Sequence, residues 1–234
     1  MQIQNHLLSS LTETDRTALQ PHLEAVELPV RYVLEVPNKP LSHSYFLESG
    51  IGSVVTGDGA HDEIETGIVG RDGMTGTAIV LIAAQCPSKT FMQIGGKGWR
   101  IEAPTLLARL HESPSMHHCF LRYAFSFSVQ TANTVLSNAK AKLDARLARW
   151  LLMANDRMDG DQIAITHEFL SLMLAVRRAG VTTTMASLVD RGCVAIKRGS
   201  INILDRASLQ RVAANFYGVP EREQLRLTGW QRKH

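Results

Sequence analysis

Three rhythms of apolar and polar positions run along this chain, and each predicts a different kind of element. Residues 5–24, NHLLSSLTETDRTALQPHLE, read as short helices, with Thr12 or Thr14 as N-cap and Leu19, Leu23 and Val26 continuing an apolar spacing. From Val26 to about Ile101 the runs become short and β-rich: RYVLEV, SYFLES, IGSVVT, EIETGIV, TAIVLI and TFMQIG. Pro37, Pro40, Gly50, Asp58-Gly59, Asp72-Gly73 and Gly95-Gly96 punctuate them. Strands this short and this evenly spaced predict a closed antiparallel barrel or jelly roll rather than a parallel sheet with helical crossovers. After Pro104 the pattern turns helical. Leu121, Phe125, Ser128, Ala132, Val135 and Ala139 recur at alternating four- and three-residue steps, about three heptads with small residues in the seam. That predicts a long helix lying along a partner helix; packing of the same face on its own barrel is the alternative. A second amphipathic helix is expected over AKLDARLARWLLMANDRM, ending near Asp159-Gly160.

The next segment is the most informative. Thr166 can cap a helix through Leu174 whose buried face is Phe169, Leu170, Met173 and Leu174. Ala175-Val176-Arg177 makes a tight connection to a second helix, from about Arg178 to Arg191 and ended by Gly192. On it Val181, Met185 and Leu188 should face inward, leaving Arg178, Ala179, Thr182, Thr183 and Ala186 outward. Two strand-like runs, CVAI and SINIL, follow around a basic turn at Lys197-Arg198-Gly199. Two helices and a hairpin with a basic tip describe a winged helix-turn-helix, whose second helix can enter the major groove of DNA. Arg178 at its start can donate two hydrogen bonds to guanine O6 and N7, and Thr183 offers a hydroxyl and a methyl, suiting a base edge or a thymine methyl. Thr166 and the amides of the first helix, with Lys197 and Arg198, would grip phosphates. His167, Arg177, Ala179 and Thr182 complete the candidate DNA-contacting set. The bland alternative is solvated arginines and threonines bonded back to their own helix carbonyls.

Charge sharpens this picture. Residues 1–137 hold 9 Lys/Arg and 13 Asp/Glu, a net −4, whereas residues 138–234 hold 16 and 9, a net +7. The basic half is the one expected to meet an anionic partner. With 44% apolar and 20% charged residues the chain has ordinary globular composition, and no apolar run approaches the roughly 18 residues of a membrane span. The start, MQIQNHLLSSLTETDR, has no export-signal pattern, and three scattered cysteines, Cys86, Cys119 and Cys193, fit free thiols in a cytoplasmic protein.

The stretch from Arg146 to Arg206 resembles the DNA-binding unit of the Crp/Fnr superfamily of bacterial transcription regulators, without a gap in the helix-turn-helix. YFLESGIGSVV and EIETGIVGRDGMTG look like barrel strands of the same superfamily. The resemblance implies an α+β chain: a β-barrel effector-type domain over 1–112, a dimerisation helix over 113–138 and a winged helix-turn-helix over 139–234. It further implies a homodimer on a pseudo-palindromic site in double-stranded DNA, half-sites about one helical turn apart, and contact with RNA polymerase. By position Arg178 matches the family's guanine-reading arginine. Ala179 stands where many members carry a base-reading glutamate, and Thr183 where a second arginine can stand, so a different operator is expected. The effector pocket is degenerate near Gly76, Thr77, Ser88, Lys89 and Thr90. Cyclic-nucleotide members have Gly-Glu where Gly76-Thr77 stands, and an arginine where Lys89 is the nearest charge besides Arg71. Threonine cannot accept as a carboxylate does, and lysine lacks the planar fork. Tight cyclic AMP binding and a bound cofactor are therefore not expected, and no cysteine precedes Cys86 to hold an iron–sulfur cluster.

Two other readings compete. A sensor could gate DNA binding through an effector other than cyclic AMP, or through oxidation of Cys193 just after the second helix. A cupin-like metal enzyme would need clustered ligands; His117, His118 and Cys119 are adjacent, so their side chains diverge by about 100° each on a helix, and His43 and His61 are isolated.

Overall fold

The computed structural model describes residues 3–57 and 63–230, so the Asp58-Gly59 turn and His61 lie outside the described residues. The chain opens with α1 (His6–Ser9) and α2 (Glu13–Leu19), capped by Asn5 and Thr12, whose side-chain oxygens accept from Leu8 N and Asp15 N. The β-rich part holds β1 (Glu24–Leu28), β2 (Val33–Glu35), β3 (His43–Leu47), β4 (Ile51–Thr56) and β5 (Ile64–Val69), then α3 (Thr77–Val80), β6 (Lys89–Ile94) and β7 (Gly96–Glu102). All pairings are antiparallel, in two sheets of order β1-β7-β3 and β2-β6-β4-β5. Leu28, Leu34, Tyr45, Leu47, Val69 and Met92, drawn from both sheets, fill the space between them. This is the jelly-roll form of the expected architecture.

Three details depart from the sequence reading. TAIVLI is not a strand: its first four residues form α3, which packs on the later helices through buried Ile79 and Val80. An apolar run that short fits either state, and here tertiary packing decides. The strands β1 and β7 carry weak signals. The outer face of β1 is exposed, and EAVEL continues the helical spacing of Leu19 and Leu23, while β7 opens on the glycine-containing GKGW.

The helical half starts with α4 (Ala103–Glu112) and α5 (Pro114–Lys140), a helix of 27 residues capped by Ser113. Met116, Phe120, Tyr123, Ala124, Gln130 and Thr134 are buried, Phe120 and Tyr123 in a cluster with Phe46 and Met74 of the barrel. The opposite seam is uncovered, with Phe125 54% and Val135 59% exposed and Ser128, Ala132 and Ala139 exposed beside them. Helix α6 (Leu143–Asp156) ends three residues before Asp159 and is not amphipathic in effect: every residue from Leu147 to Asp156 is buried. Its charges that read as a solvent face have fixed partners. Arg149 donates to Phe216 O (3.0 Å) and Thr134 Oγ1 (3.1 Å), and Asp156 accepts from Tyr217 Oη (2.7 Å) and Arg206.

Then come β8 (Gln162–Ile163), α7 (His167–Met173), α8 (Arg178–Asp190), β9 (Val194–Lys197) and β10 (Ser200–Ile203), followed by α9 (Arg206–Ala213) and α10 (Val219–Thr228). The hairpin β9–β10 gains β8 as a third strand, in the order β8-β10-β9. Ile51, Ile68 and Ile94 of the barrel share one apolar cluster with Leu151, Trp150, Leu170, Val181, Met185 and Leu188 of this half. Polar links cross the same boundary. Arg157 and Asp72 form a buried ion pair at 2.7 Å, Gln224 donates to the same carboxylate at 2.8 Å, and Arg71 holds Asp159 with two hydrogen bonds. Among the described residues no helix is long and apolar enough to cross a membrane.

Candidate nucleic-acid interface

Helices α7 and α8 are joined by a turn that closes like the end of α8. At α7, Ala175 N–H donates to Leu172 O and Val176 N–H to Ser171 O; at α8, Gly192 donates to Val189 O and Cys193 to Leu188 O. Both are the two-bond helix stop that needs one residue at positive φ. Gly192 supplies it at +68°, whereas Ala175 adopts +48° with a Cβ in the way. The turn fixes how α8 leaves α7. It buries Val181, Met185 and Leu188 completely and leaves Arg178, Ala179, Thr182, Thr183 and Ala186 on the outward side, as the spacing predicts.

The expected residues fall into two groups. Thr166, His167, Arg178, Lys197 and Arg198 line one cleft of about 320 Å³ between the start of α7, the start of α8 and the β9–β10 tip. Arg177, Ala179, Thr182 and Thr183 lie outside it, on exposed positions at and along α8. Thr166 caps α7, its Oγ1 accepting from Phe169 N at 3.3 Å. No acidic side chain among the described residues pairs with Arg177, Arg178, Lys197 or Arg198, so their charge faces outward uncompensated. The threonines behave as the bland reading had it: Thr182 Oγ1 donates to Arg178 O and Thr183 Oγ1 to Ala179 O, each at 3.1 Å. His167 Nδ1 lies 3.2 Å from the Thr182 oxygen and braces α8 against α7.

Within the barrel a cavity of about 140 Å³ is lined by Gly76, Thr77, Ser88, Glu35, Cys86 and Phe127, among others. Lys89 and Arg71 do not reach it. Lys89 pairs with Glu63 at 3.2 Å and lies over the Phe91 ring, and Arg71 is held by Asp159. Thr90 enters only through Glu35, whose carboxylate accepts from Thr90 Oγ1 and from Gly76 N at 2.6 Å. Burial raises the Glu35 carboxyl above its ordinary value, and the two hydrogen bonds oppose the rise. The sequence reading missed Glu35, although a carboxylate inside the β-rich RYVLEV run was its signal. Cys193 is buried behind α8, with its thiol raised by burial. His117 Nε2 lies 3.0 Å from Val80 O and Cys119 Sγ 3.6 Å from Ser10 Oγ, so these neighbours serve separate contacts.

A helix pair with a buried aliphatic side, a basic wing and, at the start of the second helix, arginines with no acidic partner among the described residues defines a winged helix-turn-helix fold. Residues 145–212 match the family model of the Crp-like helix-turn-helix domain. Solved structures agree over nearly the whole chain. A Crp-family transcriptional regulator from Thermus thermophilus is 20% identical, with a TM-score of 0.64 over 80% of this chain and 96% of that one. The c-di-GMP-responsive global regulator CLP of Xanthomonas campestris is 12% identical, with a TM-score of 0.64 over 83% and 100%. A CooA mutant from Carboxydothermus hydrogenoformans is 12% identical, with a TM-score of 0.62 over 84% and 90%. No curated protein matches the sequence. Residues 145–212 are therefore similar to Crp-like helix-turn-helix domains, and the chain has the fold seen in these solved structures.

Proposed function

We propose that this protein is a sequence-specific DNA-binding transcription regulator acting as a homodimer. The observation that carries the reading is the cleft joining Arg178, Lys197, Arg198 and the capped start of α7, all on a Crp-like helix-turn-helix domain. In this reading α8 enters the major groove, Arg178 takes a guanine, and Lys197, Arg198, Arg177, Thr166 and His167 hold phosphates. The exposed seam of α5, centred on Phe125, Ala132 and Val135, pairs with the same seam of a second copy. Two-fold symmetry then sets two half-sites about one helical turn apart. RNA polymerase is the partner that a regulator of this fold would engage.

Selection of bound sequences from a random DNA pool tests the reading and yields the operator. On that operator Arg178→Ala should weaken binding and relax the preference at one base pair per half-site, by roughly 1–3 kcal/mol. Lys197→Ala should weaken operator and random DNA about equally and make the salt dependence shallower. Wild-type binding by both variants would remove the docking model.

A second reading concerns the barrel cavity: it houses an effector that gates DNA binding. The Glu35 carboxylate already takes the amide of Gly76 and the hydroxyl of Thr90, so a cyclic phosphate would meet a carboxylate there. Calorimetry should show no micromolar binding of cyclic AMP.

A further inference from the structure

The outward face of α8 has lost most of the hydrogen-bonding capacity that its residue types suggest. Thr183 gives its only hydroxyl proton to Ala179 O, and Thr182 gives its own to Arg178 O, each at 3.1 Å. The Thr182 oxygen is also engaged by His167 Nδ1. A β-branched side chain with its hydroxyl tied back along the helix presents its γ-methyl outward. One turn before Thr183, Ala179 offers only its β-methyl, on the same outward side. Short side chains here also let the helix axis approach the base edges closely. Arg178, beside them, keeps all its donors free of acidic partners among the described residues.

We infer that, within the DNA-binding reading on which this rests, Ala179 and Thr183 are specificity-determining residues that read thymine 5-methyl groups next to a guanine read by Arg178. The major-groove edge of thymine is the natural partner of such a surface, because it alone among the four bases carries a methyl there. Thr183 can still accept a hydrogen bond from adenine N6 or cytosine N4, and the experiment separates that use from methyl contact.

The test starts from the operator returned by the pool selection. Each thymine is replaced singly by deoxyuridine, which keeps every hydrogen-bonding group and deletes only the methyl. At one or two thymines per half-site, affinity should fall about fourfold per methyl, the size expected for burying one such group. Thr183→Val, which keeps the γ-methyl and replaces the hydroxyl with a second methyl, should retain the thymine-over-uracil preference. Thr183→Ser, which keeps the hydroxyl and removes the methyl, should lose it at one position. The melting temperature of each variant checks folding. Uniform indifference to uracil overturns the inference, as does loss of the preference in Thr183→Val with its retention in Thr183→Ser. Failure of the pool to enrich any sequence would instead overturn the DNA-binding reading itself.

Discussion

At the scale of single residues, Glu65 sits in surroundings foreign to a carboxylate. It sits buried on β5, where Ser53 Oγ donates to it at 2.5 Å and Trp150 Nε1 of α6 at 2.7 Å. Desolvation pushes its pKa up to about 7 from the ordinary 4.5; the Ser53 and Trp150 hydrogen bonds and the charges of Arg149 and Arg157 hold it from rising further. The folded state therefore holds this proton more tightly than the unfolded chain does. The resulting stability is complete below about pH 4.5 and is lost as pH rises through 7, on the order of 3 kcal/mol in all. Glu65→Gln keeps a neutral acceptor for Trp150 and removes the titration. Its melting temperature should vary less between pH 5.5 and 8 than that of the wild type, and should exceed the wild type at pH 8. Equal pH profiles would show that Glu65 carries no charge change. Nothing near Glu65 in the sequence announces this, because Trp150 lies 85 residues away. Arg178 was legible for the opposite reason: its setting is local, fixed by the spacing of Val181, Met185 and Leu188 along one helix.

At the scale of elements, the two helix stops around α8 form an internal comparison. Gly192 meets positive φ without strain, whereas Ala175 meets it with a Cβ, at a cost of roughly 1 kcal/mol. Ala175→Gly should raise stability by about that amount, a gain of roughly 2–4 °C in melting temperature for a chain this size. Gly192→Ala should move it the other way. If both changes lower stability, the turn before α8 is held by contacts other than its backbone. Most helices were readable from period and caps, as Thr12 and Thr166 show by taking up the amides of α2 and α7. What was not readable was decided by distant packing. TAIVLI follows the helices beside it rather than its own strand preference, and α6 is wrapped by barrel and wing domain together.

At the scale of the whole molecule, charge and core follow different partitions. The basic half carries the cleft and the acidic half the barrel, yet Ile51, Ile68 and Ile94 of the barrel lie in the cluster that supports α8. We propose that the division at 112/113 and 138/139 is one of function and not of folding. Scanning calorimetry should then give a single endotherm, with calorimetric and van't Hoff enthalpies equal. Two separate transitions would show that each half holds itself together.

The placement of Trp150 has a practical consequence. Its indole bonds a barrel carboxylate while its ring lies in the apolar cluster beneath α8, so its fluorescence senses both sides of that boundary at once. A compound lodged anywhere in the jelly roll, if it tightens or loosens that seam, would announce itself as a shift in tryptophan emission before any DNA is added. With Trp99 and Trp230 replaced by phenylalanine, the chain would carry its own optical probe for any ligand of the barrel.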